Sequence, residues 1–305
     1  MTRLLVATHN ALLLVDPARP MGRQQILHWG AGLYYGITWD EERLYLVARG
    51  APPERVLVFD RDFRPLDPPP FKMGGEPHQC LWLDGTLYVT DTTNNRVLSW
   101  DGKCIETVFF VDAPYKKEPE HLNSIWSDGD LIYVLAHRKE RRPKRVYVLD
   151  REFALLDILP MDFHCLAAGA MSNGLHNVYV ENGRLYTLGP SVVLALDLVK
   201  GKTDVKQLPT VEPFKHYLRG LARTEELFYI GVSNVAARPG RDYGSARILI
   251  QERMNSNRLA GEIVLDERCG QVLEIRALDE PDLAHNGVTC PLDLAALPDL
   301  AFAEA

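Results

Sequence analysis

The sequence predicts an all-β fold, a six-bladed β-propeller with four antiparallel strands in each blade, on three observations. Apolar strands separated by turn residues recur along the chain, several repeats open 43 residues apart, and the strands are rich in β-branched and aromatic residues. A period near 43 residues is typical of propeller blades, whereas helical repeats would need a 3.6-residue periodicity that these segments lack. A β-sandwich is the alternative, but it does not require such a repeat.

The clearest copy of the repeat is "GGEPHQCLWLDGTLYVTDTTNNRVLSWDG", which runs from Gly74 to Gly102 and predicts three strands joined by two turns. The same order of an opening strand, a turn, an "LY"-type strand, a loop and a third strand begins again at Tyr34, Glu120, Leu175 and, for its first half, Tyr217. The repeat therefore extends over most of the chain.

The first blade is predicted to combine both ends of the chain. The chain start supplies only three strands, "LLVATHN", "ALLLVDP" and "RQQILHW". We expect the missing innermost strand to be "AHNGVTC" at Ala284–Cys290, so that a C-terminal strand joins the N-terminal blade and closes the ring. Residues 1–305 would then form a single domain.

Composition and charge narrow the classes of function. The net charge of −7 argues against a general nucleic-acid-binding surface. No apolar stretch approaches the roughly 18 residues of a membrane span, and "MTRLLVATHN" lacks the apolar core of a signal peptide. Five scattered cysteines without a Cys-x-x-Cys pair favour a reducing compartment. We therefore expect a cytoplasmic protein without a nucleic-acid or membrane partner.

The first residues of the six innermost strands are predicted to form a ring at one mouth of the propeller channel. The ring would contain Tyr35, His78, His121, His176, Arg219 and His285. Neutral imidazoles on a rigid ring are good metal ligands, so the four histidines predict a site for a divalent ion, Zn, Fe or Mn rather than Ca. Alternatively, each histidine bonds a backbone carbonyl at the start of its strand, or the histidines recur through blade duplication alone.

The second strands of the blades end at the same mouth and provide an outer set of side chains. This set contains His9, Asn10, Arg49, Asp91, Thr92 and His137. His9 and His137 are candidates for further ligands or for proton transfer, because imidazole titrates near neutrality. Glu76 and Glu120 are candidate acceptors for the second ring nitrogen of His78 and His121. Alternatively, these are exposed loop residues.

A basic loop is predicted at this mouth. The segment His137–Arg145 contains six Lys or Arg residues in an otherwise acidic chain. Together with Arg219, it favours a small anionic ligand such as a carboxylate or phosphate. A solvated run of charge is the alternative.

The segment "VTDTTNNRVLSWDG" resembles the NHL repeat, and the whole chain resembles the NHL and SMP-30-like group of six-bladed propellers. This resemblance implies the fold more than a function, because the group includes hydrolases, lyases and binding scaffolds. The histidines are loosely similar to those of the peptidylglycine amidating lyase propeller, whose zinc is held by three histidines. The SMP-30-like lactonases bind a metal through Glu and Asn, a coordination that Asn10, Asn123, Asn177 and Asn286 leave open.

The sequence thus predicts a metal-dependent enzyme of the hydrolase or lyase type that acts on a small anionic molecule. His78, His121, His176 and His285 are the predicted metal ligands. Arg219 would hold or polarise the substrate, and Tyr35 and His137 would transfer protons. The alternative is a non-catalytic propeller that presents one face to a protein or carbohydrate.

Overall fold

The computed structural model describes residues 1–19, 23–30, 32–50, 55–74, 76–111, 120–137, 144–161, 174–236, 240–252, 258–285, 287–298 and 300. Within these ranges the chain forms six antiparallel sheets of four strands each, and its helical segments include two short 3-10 turns at Thr92–Asn94 and Glu267–Cys269. The predicted six-bladed propeller is confirmed. The described residues include no helix of the length and apolarity needed to cross a membrane.

The blades follow the order of the chain. Blade 1 contains β1 (Leu4–Thr8), β2 (Ala11–Asp16) and β3 (Arg23–Trp29), with β24 (Val272–Ala277) innermost. Blade 2 contains β4 (Gly32–Trp39), β5 (Leu44–Gly50), β6 (Arg55–Phe59) and β7 (Pro65–Leu66). Blade 3 contains β8 (Pro77–Leu83), β9 (Thr86–Asp91), β10 (Arg96–Trp100) and β11 (Ile105–Phe110).

The remaining three blades have the same arrangement. Blade 4 contains β12 (Leu122–Ser127), β13 (Ile132–Ala136), β14 (Lys144–Leu149) and β15 (Leu155–Met161). Blade 5 contains β16 (His176–Glu181), β17 (Arg184–Leu188), β18 (Val192–Asp197) and β19 (Thr203–Gln207). Blade 6 contains β20 (His216–Arg223), β21 (Leu227–Asn234), β22 (Ala246–Glu252) and β23 (Leu259–Val264).

The ring closes in blade 1 through a C-terminal strand, as predicted, but the strand is not the expected one. β24 lies antiparallel to β1, with Glu274 opposite Ala7. The assignment of this strand to Ala284–Cys290 was wrong. It failed because "VLEIRA" carries two charged residues, Glu274 and Arg276, which neutralise each other inside the channel at 2.8 Å.

The hydrophobic core lies between neighbouring blades. Leu12 of blade 1 shares a buried cluster with Trp39 of blade 2, and Leu81 of blade 3 shares one with Ile125 of blade 4. Strands buried on both faces appear in the sequence as continuous apolar runs. This packing makes each blade depend on its neighbours and holds the innermost strands in place around the channel.

A polar network centred on Glu274 fills the middle of the channel. The carboxylate accepts hydrogen bonds from Gln79 at 2.6 Å, Asn177 at 3.0 Å and Arg276 at 2.8 Å. Arg276 also donates to the carbonyl oxygen of Ile37 at 3.1 Å. Both buried charges of this network are therefore paired and hydrogen-bonded inside the protein.

Candidate functional site

Five of the six predicted ring residues gather at one end of the channel, which we call the histidine mouth. It encloses a cavity of about 340 Å³ lined by His9, Leu33, Tyr35, Arg49, Glu76, His78, His121, Arg219, Arg241 and Asp242. Ring centroids follow one another at 4.7 Å (Tyr35–His78), 4.9 Å (His78–His121), 5.2 Å (His121–His137) and 5.9 Å (His137–His176). Repeat geometry therefore assembles residues that are far apart in the sequence.

Irregularities in the innermost strands bring these side chains to the mouth. The pairing register shifts near the start of the innermost strand in blades 2 to 6, for example between Pro77 and Cys80 and between Leu218 and Leu221. Such bulges redirect side chains. In blade 2 the bulge contains Gly36, where a Cβ atom would lie 2.6 Å from the backbone nitrogen of Cys80. A side chain at this position would therefore push the two innermost strands apart.

His78 presents an unprotonated nitrogen to the mouth. Its Nδ1 lies 2.8 Å from the carbonyl oxygen of Glu76 and 2.9 Å from the hydroxyl of Thr92, whose own proton goes to the carbonyl of Leu122. Both neighbours act as acceptors, so Nδ1 carries the proton and Nε2 carries the lone pair. Burial, reinforced by the charges of His121 and Arg49, holds the pKa of His78 well below its ordinary value. His78 is therefore a neutral acceptor.

His137 has the opposite polarity. Its Nδ1 accepts hydrogen bonds from the backbone amides of Gly174 at 2.9 Å and Leu175 at 3.1 Å. The neutral ring must then carry its proton on Nε2. His137, which is packed between the rings of His121 and His176, is accordingly a hydrogen-bond donor through Nε2. This polarity agrees with the predicted proton-transfer role and is less suited to a metal ligand.

His176 is engaged by a cation. The Nε atom of Arg219 donates to His176 Nε2 at 3.1 Å, and the hydroxyl of Tyr217 lies 2.9 Å from the same nitrogen. Burial, followed by the charge of Arg219, holds the pKa of His176 well below its ordinary value. The lone pair that a metal ion would need is thus directed at a guanidinium group.

Arg219 carries a charge without a carboxylate partner among the described residues. Its guanidinium lies over the ring of Tyr217 at 4.9 Å, and the groups that favour its charge are the phenols of Tyr217 and Tyr35. Three arginines line the cavity, Arg49, Arg219 and Arg241, whereas its described lining has two carboxylates, Glu76, which pairs with Arg49, and Asp242, which contacts the neutral imidazole of His9. The mouth therefore has an uncompensated positive charge.

His9 and Asp242 form a dyad on the cavity wall. His9 Nδ1 lies 2.9 Å from an Asp242 carboxylate oxygen, while His9 Nε2 is buried and has no hydrogen-bond partner in the described structure. Burial, followed by the charge of Arg219, outweighs Asp242 and lowers the pKa of His9 to about 4. The ring is therefore neutral near pH 7, with its proton on Nδ1.

Sequence reasoning placed His9 in the outer set but missed Asp242. This aspartate lies after β21 of the last blade, far from His9 in the sequence. Its only signal was the long insertion between the second and third strands of that blade, the kind of loop that often builds a propeller site.

The two expected acceptor residues act differently from the prediction. Glu76 serves His78 through its carbonyl oxygen, while its carboxylate pairs with Arg49. Glu120 accepts from Arg145 at 2.8 Å and from Tyr147 at 2.8 Å. Their side chains thus fix the outer strands around the mouth.

The predicted metal centre can be tested against the donor atoms. The described part of the chain contains no group of three or more His, Cys, Asp or Glu side chains arranged to hold a metal ion. Of the four predicted ligands, His176 directs its Nε2 at Arg219, and His285 lies against Thr38 and Trp39, away from the other three. As arranged, these residues do not fit the predicted four-histidine site.

His285 lies apart from the other predicted ligands, towards the opposite end of the channel. Its Nε2 is 3.1 Å from the hydroxyl of Thr38, and its ring packs on Trp39 at 4.7 Å. Both residues are at the end of β4, whereas the histidine mouth lies near its start. The displacement follows from the closing strand, because β24 occupies the place that was expected for Ala284–Cys290.

Some sequence predictions lie outside the described residues. These are residues 138–143 of the basic loop and Asn286, one of the four alternative asparagine ligands. Of the other three, Asn123 and Asn177 are buried, and Asn177 donates to Glu274. Asn10 donates to the backbone of Asp242 at 2.6 Å.

No protein-family model matches the chain, and no curated protein matches it in sequence. Several solved structures share its fold. A chain of the nidogen/laminin complex is 13% identical with a TM-score of 0.64, covering 90% of this chain and 98% of its own. A protein of unknown function from Bacteroides caccae is 12% identical with a TM-score of 0.61, covering 92% and 99%.

A third similar structure is apo AztD from Citrobacter koseri, 11% identical with a TM-score of 0.50, covering 90% of this chain and 97% of its own. Likenesses at such low identity show the fold alone. They support a β-propeller and do not single out the NHL or SMP-30-like group.

Proposed function

We propose that the protein binds a small anionic molecule in the histidine mouth and acts on it by proton transfer, as an enzyme of the hydrolase or lyase type. The observation that carries this proposal is Arg219, a guanidinium that no described carboxylate neutralises and that lines a polar cavity. A charge of this kind is costly to enclose without a partner. A carboxylate or phosphate group of a ligand would supply that partner.

The side chains around Arg219 supply both proton acceptors and proton donors. His78 Nε2 is an acceptor, and His137 Nε2–H is a donor. The hydroxyl of Tyr35 accepts from Arg49 at 3.2 Å, which leaves its own proton for a ligand. Opposite polarities on neighbouring neutral groups are the requirement for general acid–base chemistry. Arg219 would hold the substrate, and Tyr35 and His137 would donate protons.

The predicted divalent metal ion stays a prediction, and no step of this proposal passes through it. One observation favours it: His78 donates Nδ1–H to a backbone carbonyl, which is the usual arrangement of a metal-ligating histidine. Elemental analysis of protein purified without a histidine tag tests this prediction directly. The expected cytoplasmic location also stays a prediction.

The test of the proposed function is a binding screen of carboxylates and phosphates by thermal shift and calorimetry, followed by the variant Arg219→Gln. We expect anions to stabilise the wild-type protein and the variant to lose at least tenfold in affinity, because a charge-assisted hydrogen bond is worth about 1.5–3 kcal/mol. The matched control is Arg184→Gln, an exposed arginine that pairs with Asp204 away from the mouth.

The result that contradicts the proposal is equal anion binding by Arg219→Gln and wild type, or no anion binding at all. Stabilisation by neutral or cationic compounds alone would instead favour the non-catalytic scaffold that the sequence left open.

A further inference from the structure

His9 is a buried imidazole in which one ring nitrogen has a hydrogen-bond partner and the other has none among the described residues. Its side chain is 5% exposed, and Nδ1 is directed at Asp242. Nε2 is buried and has no hydrogen-bond partner among the described residues. A buried acceptor without a donor is unfavourable and rare in folded proteins. An occupant of the cavity is therefore expected to provide the donor.

The residue that carries the unused nitrogen lines the same cavity as the uncompensated guanidinium. Both His9 and Arg219 line it, and Arg219 is close enough to lower the pKa of His9. Asp242 orients the ring and keeps the proton on Nδ1, so that Nε2 can only accept. The residues of the cavity wall thus include a cation for an anionic group and an imidazole with an unpartnered acceptor nitrogen.

The geometry points to a ligand that carries a hydroxyl or amino group close to its anionic group, with Arg219 binding the anionic group and His9 Nε2 accepting the hydrogen bond. This inference rests on the proposed function and narrows its substrate class. His9 is then a specificity-determining residue, and Asp242 is a positioning residue that acts through the imidazole ring. A site built to receive a hydrogen-bond donor discriminates against ligands that lack it.

The test compares matched pairs of anions that differ by one hydroxyl: glycolate with acetate, lactate with propionate, and malate with succinate. Affinities are measured by NMR titration of the full chain. We expect the hydroxylated member of at least one pair to bind about five- to tenfold more tightly to the wild-type protein, the range for one hydrogen bond.

Two variants of His9 separate the two ring nitrogens. In His9→Asn the amide can still reach Asp242, but nothing occupies the place of Nε2. The hydroxylated and the plain anion should then bind with about equal affinity. In His9→Gln the longer amide can present an oxygen near that place, so part of the preference should return. His28→Asn is the control, because His28 bonds Tyr34 at 2.6 Å and does not line the cavity.

A spectroscopic measurement tests the role of Asp242. In the wild-type protein, the ¹⁵N signal of His9 Nε2 should be that of an unprotonated nitrogen and should shift when the hydroxylated anion binds. In Asp242→Ala the preference for the hydroxylated anion should weaken. If Asp242 has a merely structural role, Asp242→Ala will keep the wild-type preference for the hydroxylated anion.

The outcomes are distinguishable from those of the proposed function. If both members of every pair bind equally to the wild-type protein, and Arg219→Gln abolishes both, the inference is overturned while anion binding stands. If no anion binds, both fail. A protonated His9 Nε2 in the unliganded protein would also overturn the inference.

Discussion

Two of the arginines on innermost strands, Arg276 and Arg219, differ in their surroundings. Arg276, in the middle of the channel, pairs with Glu274 at 2.8 Å and donates to the carbonyl oxygens of Ile37, Leu221 and Ile275. Arg219, at the histidine mouth, has aromatic and imidazole neighbours but no carboxylate among the described residues. The first arginine is paired with a carboxylate, and the second leaves charge for a ligand.

The presence or absence of a carboxylate partner thus distinguishes structural from functional charged groups within one channel. Buried networks in which both charges are paired and hydrogen-bonded fix a structure, whereas polar groups without partners are tolerated where they have another use. The same contrast divides the histidines. His285 is bonded to Thr38 and enclosed, while His9 and His78 line a cavity and each has one unprotonated nitrogen. Three predictions test this comparison, from the largest expected effect to the smallest.

The variant Glu274→Ala should cause the largest loss of stability. It removes the acceptor of Gln79, Asn177 and Arg276 and leaves a buried guanidinium without its carboxylate. Breaking a buried ion pair from one side costs about 3–5 kcal/mol. Urea denaturation followed by fluorescence measures the change in the free energy of unfolding.

The control for this experiment is Glu106→Ala, an exposed glutamate on the outer strand β11, which should change stability by less than about 0.5 kcal/mol. If Glu274→Ala and Glu106→Ala are equally stable, the network in the channel is not a structural element and the comparison of the two arginines fails.

The variant His285→Gln should reduce the acid sensitivity of the protein. Burial, followed by the charge of Arg276, holds the pKa of His285 well below its ordinary value of 6.5. Below that value the unfolded chain binds a proton that the folded chain does not. The folded state therefore loses about 1.4 kcal/mol per pH unit as the pH falls from 6.5, and is unaffected above it.

Denaturation curves at pH 7, 6 and 5 would show this effect as a shallower decline for His285→Gln than for the wild-type protein. Parallel declines would mean that His285 takes up a proton without cost, and hence that this end of the channel is open to water.

The variant Arg219→Met should have the smallest effect on stability. No described carboxylate is paired with Arg219, so removing the arginine leaves no buried charge without a partner. The free energy of unfolding should therefore change by less than about 1 kcal/mol. A modest gain is equally consistent with removing an unpaired charge. Urea denaturation without ligand measures it, and a loss comparable to that of Glu274→Ala would show that Arg219 is structural.

The sequence by itself determined the propeller and most of the composition of its mouth. A repeat near 43 residues requires equivalent strands, and equivalent strands place Tyr35, His78, His121, His176 and Arg219 at one level of the channel. The end of β13 likewise put His137 beside them. These relations follow from periodicity, which is a property of the chain itself.

Only the tertiary structure decided which strand closes the ring and what each imidazole can do. Glu274 and Arg276 make β24 look too polar for an innermost strand when only the sequence is considered. The two charges are buried there because they neutralise each other within the channel. The proton position on an imidazole depends on the partner of its other nitrogen. That partner is a carbonyl for His78, two amides for His137 and the distant Asp242 for His9. These contacts join segments that are far apart in the sequence, and nothing in the sequence indicates that the segments lie close together in the fold.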